Sequence, residues 1–245
     1  MNPILFTTPR TGSTLICNLL ADIFSKENLN EFFHFGVIPP VDYQRINNRV
    51  VTKYFENHIN NPWGENLKEE RLRRLGLIKG DYNYLIKIFG EPLETEILSE
   101  IKNNYNIIYL ERKDKIKQIL SFATVLNTKR SHYDNDHKKI NSIIYKPEAA
   151  EVIVGHINMY KNFKSSFPSK YPTLYYEDFV ELGANHFALT SLLKIPFNDK
   201  VLTNSNWLPK NSIPTPYASD DIEKLILNKK TWLIDKENIL EKLKD

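Results

Sequence analysis

The chain has a single cysteine, Cys17, in 245 residues. No intrachain disulfide is possible, and nothing points to an oxidising compartment. Charge of one sign is not in excess either: 33 basic residues against 30 acidic ones leave a formal net charge of +3. Wholesale nucleic-acid binding calls for a stronger basic surplus, so no nucleic-acid partner is expected. A local basic pocket for a small polyanion stays open. No stretch approaches the ~18 apolar residues of a membrane span. Met1-Asn2-Pro3-Ile4-Leu5-Phe6-Thr7 lacks the charged start and long apolar run of a signal peptide. A soluble, cytoplasmic protein is the expectation. Internal repeats and low-complexity segments are absent as well. What is present is ordinary globular composition, 41% apolar and 26% charged, which excludes disordered and fibrous classes. The length suits one α/β domain over residues 1–245.

The elements alternate as βα units. Ile4–Thr8 is a short β-prone run, and Ser13–Phe24 follows as a helix with Leu15, Ile16, Leu19, Leu20, Ile23 and Phe24 on one side. Tyr82–Phe89 and Asn106–Glu111 read as strands, the latter apolar enough for a parallel sheet. A helix over Asp114–Asn127 turns Ile116, Ile119, Leu120 and Ala123 inward. Pro147 suits the first turn of a helix to Phe167, striped by Val152, Ile153, His156, Tyr160, Phe163 and Phe167, with His156 a core histidine. Thr173–Tyr176 is a further strand, and shorter helices are predicted over His186–Leu193, Asp220–Asn228 and Asp235–Leu243. Residues 47–81 and 128–146 read as irregular, and 202–217 as a long loop with three prolines.

The most informative stretch is Ile4-Leu5-Phe6-Thr7-Thr8-Pro9-Arg10-Thr11-Gly12-Ser13-Thr14-Leu15. A strand enters a tight turn and leaves as an amphipathic helix. Gly12 lets backbone approach a ligand, the free amides of the helix start favour an anion, Ser13 and Thr14 add hydroxyls, and Arg10 adds a forked cation. The same residues also suit a plain turn with a helix cap, and the stretch alone leaves both readings open. Against the Walker A pattern, Ser13 stands where the lysine belongs and Thr7 where the first glycine belongs. A conventional ATPase or kinase is therefore disfavoured.

The run Thr8–Leu15 resembles the 5′-phosphosulfate-binding loop of sulfotransferases that use PAPS (3′-phosphoadenosine 5′-phosphosulfate), in particular those of the bacterial Stf0 type. A second segment agrees: Ile108–Ser121 resembles that family's 3′-phosphate-binding stretch, which implies 3′-phosphate contacts from Arg112 and Ser121. Helical geometry supports the pairing, because Asp114, Gln118 and Ser121 share one face opposite the apolar stripe. A third match is Asn30-Glu31-Phe32-Phe33-His34, where the resemblance implies that Glu31 is the base for the acceptor. His34 is the alternative base. Tyr175-Tyr176-Glu177-Asp178 resembles a late segment of sulfotransferases with a structural role.

The expected protein is thus an α/β enzyme with a mainly parallel central sheet flanked by helices, in a P-loop-like nucleotide-binding fold. Arg10, Thr11, Gly12, Ser13, Thr14 and Leu15 would hold the 5′-phosphosulfate of PAPS, and Arg112 and Ser121 the 3′-phosphate. Glu31 would take the acceptor's proton, while Arg10 would stabilise the charge developing on the leaving PAP (3′-phosphoadenosine 5′-phosphate). The acceptor is a small molecule or carbohydrate; Tyr43, Tyr54, Phe55, Trp63, Tyr82 and Tyr84 are candidate wall residues, or core. Lys210 is a candidate closing residue, or a solvated loop lysine. No metal is expected, since His132, Asp134, Asp136 and His137 lie in a polar stretch without supporting strands. Two rivals stand beside this reading: a degenerate P-loop kinase or NTPase, and a non-catalytic PAP-binding module.

Overall fold

Strand β1 (Pro3–Phe6) is buried along its whole length. Ile4 and Phe6 enter one hydrophobic cluster and Leu5 enters another, so the strand separates two apolar layers. The computed structural model describes residues 2–33, 67–90, 93–128, 142–196 and 222–243. In it β1 is the centre of a five-stranded parallel sheet with β2 (Glu27–Asn30), β3 (Tyr84–Ile88), β4 (Asn106–Glu111) and β5 (Leu174–Tyr175), in the order β2-β3-β1-β4-β5. Ile4 lies opposite Ile86 and Ile107, and Phe6 opposite Ile88 and Tyr109. Such strands need apolar residues on both faces because helices cover both.

On one face, Phe6, Ile86, Ile88 and Tyr109 cluster with residues of three helices: Leu75 and Ile78 of α2 (Leu67–Ile78), Ile97 and Ile101 of α3 (Thr95–Asn104), and Tyr160 of α5 (Pro147–Ser166). On the other, Leu5, Leu85, Ile108 and Leu110 cluster with Ile16, Leu19 and Leu20 of α1 (Ser13–Phe24), and with Leu189 and Leu193 of α7 (His186–Leu193). A third cluster joins α4 (Lys115–Thr128) and α5 to α8 (Lys229–Lys242), with Trp232 at its centre. Between β5 and α7 lies the short α6 (Tyr176–Glu181).

The α/β class and the parallel sheet flanked by helices agree with the sequence reading. Several elements differ. β2 was not expected, and α2 occupies part of a stretch that reads as irregular. A short 3₁₀ turn at Ile222–Leu225 stands in place of the helix expected over Asp220–Asn228, and α8 begins well before Asp235. In α5 the buried stripe runs through Ala149, Ala150, Ile153, Ile157 and Tyr160, while Val152 is exposed. His156 is half-buried rather than core, with Nδ1 2.9 Å from the Phe89 carbonyl.

The chain leaves β1 for one side of the sheet and later crosses to β4 and β5 on the other. The crevice for a ligand in such a sheet lies at the C-terminal strand ends, where the order reverses. That point is the β1–α1 loop.

Candidate functional site

The loop from Thr7 to Gly12 is fastened from within. The Thr7 amide donates to the Ile88 carbonyl at 2.9 Å, and its hydroxyl donates to the Leu110 carbonyl at 3.0 Å. The Thr11 hydroxyl lies 2.7 Å from that of Thr7 and donates to the Thr8 carbonyl at 2.9 Å. Thr11 is fully buried, so its side chain builds the loop. Gln118 of α4 adds two bonds, to Thr8 Oγ1 at 2.8 Å and to the Pro9 carbonyl at 2.6 Å.

Backbone torsion then aims the helix. Arg10 has φ 65° and Gly12 φ 71°, both left-handed. The first costs an L-residue about 1–2 kcal/mol and persists because the loop is pinned on both sides. Gly12 is the N-cap of α1 and brings no side chain to it, so the amides of the first turn are not capped from within that residue. Gly12 itself is thus the cap, and Ser13 and Thr14 are the first residues of the helix. Gly12 is also fixed by contact: a Cβ there would lie 2.4 Å from the Tyr176 ring. Gly12→Ala is expected to cost about 2–4 kcal/mol, from the left-handed torsion plus overpacking. Tyr176→Ala should restore part of that loss; urea melts of both variants decide it, and a neutral Gly12→Ala would contradict the contact.

At one end of the loop, three residues singled out from the sequence meet. Arg10 Nε donates to Ser121 Oγ at 3.1 Å, and Arg112 Nη1 donates to the Arg10 carbonyl at 3.1 Å. The Arg112 guanidinium lies over the Tyr176 ring at 5.3 Å, with Glu177 Oε1 3.9 Å from its Nε. Burial lowers the Arg112 pKa, against the opposing pull of Tyr176 and Glu177. Its Nε is buried without a hydrogen-bond partner, a feature that suits an anion arriving there. Glu177 accepts from the amides of Lys113 at 2.8 Å and Asp114 at 3.1 Å, which caps α4 and gives the Tyr175–Asp178 segment its structural role. The polar face of α4 is buried: Gln118 and Ser121 pack on the loop.

At the other end stands Glu31. After α1 the chain turns at Ser25, φ 50°, and β2 carries it back beside β3 to the C-terminal edge of the sheet. Phe32 and Phe33 are buried there, and two buried arginines of α2 donate to their carbonyls, Arg74 to Phe32 and Arg71 to Phe33. Glu31 Oε1 lies 2.9 Å from Lys87 Nζ, with side-chain exposures of 14% and 1%. The same ammonium donates to Thr14 Oγ1 at 3.2 Å. Cys17 is buried beneath this group; burial pushes its thiol up to about 12, with Lys87 pulling the other way. Lys87 is the site residue that sequence reasoning missed. The signal was there, because a lysine in the buried strand Tyr84-Leu85-Ile86-Lys87-Ile88 needs a partner.

The structure therefore divides the charges differently from the sequence expectation. Arg10 reaches Ser121 on α4, and the cation at the carboxylate of Glu31 is Lys87. The loop lacks a Walker lysine, and an ammonium comes to Thr14 from β3 instead. Ser13 is buried, whereas Thr14 and Leu15 are half-buried at the helix start. His34, Lys210, the His132–His137 stretch, Tyr43, Tyr54, Phe55 and Trp63 lie outside the described residues. Tyr82 and Tyr84 sit at the N-terminal end of β3, the edge of the sheet opposite the loop, and Tyr82 stacks edge-on with Tyr105. They do not line this site. Among the described residues no group of three or more histidines, cysteines or carboxylates could hold a metal ion. No described helix is long and apolar enough to cross a membrane.

No family model and no curated protein matches the chain. Solved structures do. A sulfotransferase domain from the curacin biosynthetic pathway is 18% identical, with a TM-score of 0.49 over 99% of this chain and 96% of that one. A sulfotransferase domain from the olefin synthase of Synechococcus PCC 7002 is 16% identical, with a TM-score of 0.50 over 100% of this chain and 95% of its own. This chain thus shares its fold with the second of these domains, and here that fold is a parallel sheet flanked by helices.

Proposed function

We propose that this protein is a sulfotransferase that moves a sulfuryl group from PAPS to a hydroxyl or amine of a small-molecule or carbohydrate acceptor. The observation that carries the reading is the pair of charged groups at the two ends of one loop: Arg10, Ser121 and Arg112 at one, Glu31, Lys87 and Thr14 at the other. A donor with a phosphate at each end of its ribose needs two such centres. Arg112, Ser121 and Arg10 would hold the 3′-phosphate. The amides of Gly12 to Leu15, Thr14 Oγ1 and Lys87 would hold the 5′-phosphosulfate.

Transfer then asks four things of the chain. The acceptor oxygen forms a bond to sulfur as the bond from sulfur to the 5′-phosphate oxygen of PAP breaks. The acceptor's proton passes to the carboxylate of Glu31. The charge left on the 5′-phosphate of PAP meets Lys87 and the helix amides, which are fixed before reaction begins. Water is kept out by the buried floor of Cys17, Phe32 and Phe33. As in phosphoryl transfer, positioning and electrostatics supply most of the catalysis.

The test reads the two ends of the donor separately. Arg112→Ala should weaken PAP binding about 10- to 100-fold, the worth of a charge-assisted contact. Binding of adenosine 5′-phosphate should change little. Calorimetry with both nucleotides measures this, and equal losses would remove Arg112 from the 3′ position. Transfer of label from PAPS to a component of a cell extract then separates the enzyme from a module that only binds PAP. A melting shift with Mg-ATP but none with PAP would favour the kinase rival.

A further inference from the structure

A second cationic region lies on the other side of β4. Between the end of β4, the start of α4 and the later turns of α5 is a cavity of about 370 Å³ bordered by Thr8, Glu111, Lys115, Tyr160, Lys161 and Lys164. It is separate from the Arg112 centre by the alternation of a strand. Tyr109 packs in the cluster of Phe6, and Leu110 in the opposite cluster. Glu111 continues the Tyr109 side, accepting from Lys164 Nζ at 2.6 Å and from the Tyr160 hydroxyl at 3.2 Å. Arg112 turns the other way, to Tyr176 and Glu177.

Three lysines here face one carboxylate, so the border carries two positive charges beyond the Glu111–Lys164 pair (three minus one). Lys115 is half-buried; burial lowers its pKa, with Glu111 and Glu177 opposing that and Lys161 and Lys164 adding to it. Holding like charges together in a half-enclosed recess is unfavourable unless an anion enters. The start of α4 does not supply the binding, because Glu177 and Asp114 Oδ1 already accept from the amides of Lys113, Asp114 and Lys117. The ammonium groups are what the recess offers.

We propose that this recess binds a tetrahedral oxyanion, a phosphate or sulfate group, distinct from those of the nucleotide donor. The binding stands on the lysines and the recess they border. Lys87 lies on the opposite face of the sheet, in register with Leu5 and bonded to Thr14, so an anion held here is separate from the Glu31–Lys87 pair.

The experiment uses the full chain, first saturated with PAP so that the donor centres are filled. It is titrated by calorimetry with inorganic phosphate and, separately, with glycerol 3-phosphate. Both titrations are repeated without PAP, so that failure of PAP to bind leaves them readable. The wild type should bind saturably in the presence of PAP. Lys161→Met, a change at an exposed side chain, should weaken binding at least about tenfold, and Lys115→Met more, with PAP affinity unchanged in both. Tighter binding of the monoester than of inorganic phosphate supports an anion carried on a larger molecule; the reverse order supports a free anion at the same recess. Absence of saturable binding by the wild type overturns the proposal. So does undiminished binding by Lys161→Met, and so does a loss of PAP affinity that tracks the loss of phosphate, which would assign the lysines to the donor.

Discussion

Glu31→Gln is expected to lower turnover by about 10²–10⁴, the contribution of a positioned base. That corresponds to about 3–5 kcal/mol of transition-state stabilisation. On the proposed reading PAP affinity should be retained, because the carboxylate serves the acceptor and meets the groups assigned to the donor through Lys87. The substitution keeps size and hydrogen-bonding reach but removes the proton acceptor. Some loss of stability will accompany it, since Lys87 then keeps a buried charge without its partner, and rates are to be compared well below the melting range. His34→Ala, at the alternative base of the sequence reading, is the control and should keep most activity. Steady-state transfer to the identified acceptor, with PAP titration of each variant, gives the answer. Wild-type turnover in Glu31→Gln would remove it from the mechanism.

Lys87→Met should be the more damaging change. The lysine side chain is 1% exposed and holds both Glu31 at 2.9 Å and Thr14 at 3.2 Å. Removing one member of a buried ion pair costs about 3–5 kcal/mol. For a chain of this length that is a fall in melting temperature of roughly 6–20 °C. Loss of a preorganised cation beside the developing charge should also cut turnover by about 10²–10³. The two effects separate in the double variant Lys87→Met with Glu31→Gln. With no buried charge left unpaired it should regain much of the stability, yet it should stay inactive. Recovery of both together would mean that the pair only holds β2 against β3. Full activity in Lys87→Met at low temperature would exclude the lysine from catalysis.

Much of the frame is legible in the residues because helix and strand periods are local. Ser13–Phe24, Asn106–Glu111 and His186–Leu193 fall where the apolar pattern puts them. β2 is different: Glu27-Asn28-Leu29-Asn30 is an edge strand with one apolar residue, and it forms because its backbone completes the sheet beside β3. α2 was hidden by its charges. Arg71 and Arg74 are buried because the carbonyls of Phe32 and Phe33 need donors, a demand set by a segment distant in sequence. The same limit applies to the site. Arg10 stands out in the loop sequence and the family resemblance names Arg112 and Ser121, but which end of the loop Arg10 serves depends on α4 packing, and Lys87 on a strand with no motif of its own. An amphipathic reading leaves Gln118 and Ser121 facing water; their burial against the loop is a tertiary result.

The ring of Tyr176 against Gly12 has a consequence for how the molecule is made. The loop is written within the first twelve or so residues, but one wall of it belongs to the far half of the chain, and the strands flanking β1 come from around residues 86 and 107. A growing polypeptide that has passed β3 carries the loop's sequence without its shape, because neither the Leu110 carbonyl that Thr7 needs nor the Tyr176 ring has yet been synthesised. Closing such wide intervals of chain is slow relative to forming helices. The shape of the loop is thus among the last properties gained in biosynthesis, and a product cut short before β5 would keep the loop's sequence while lacking the surface that sets it.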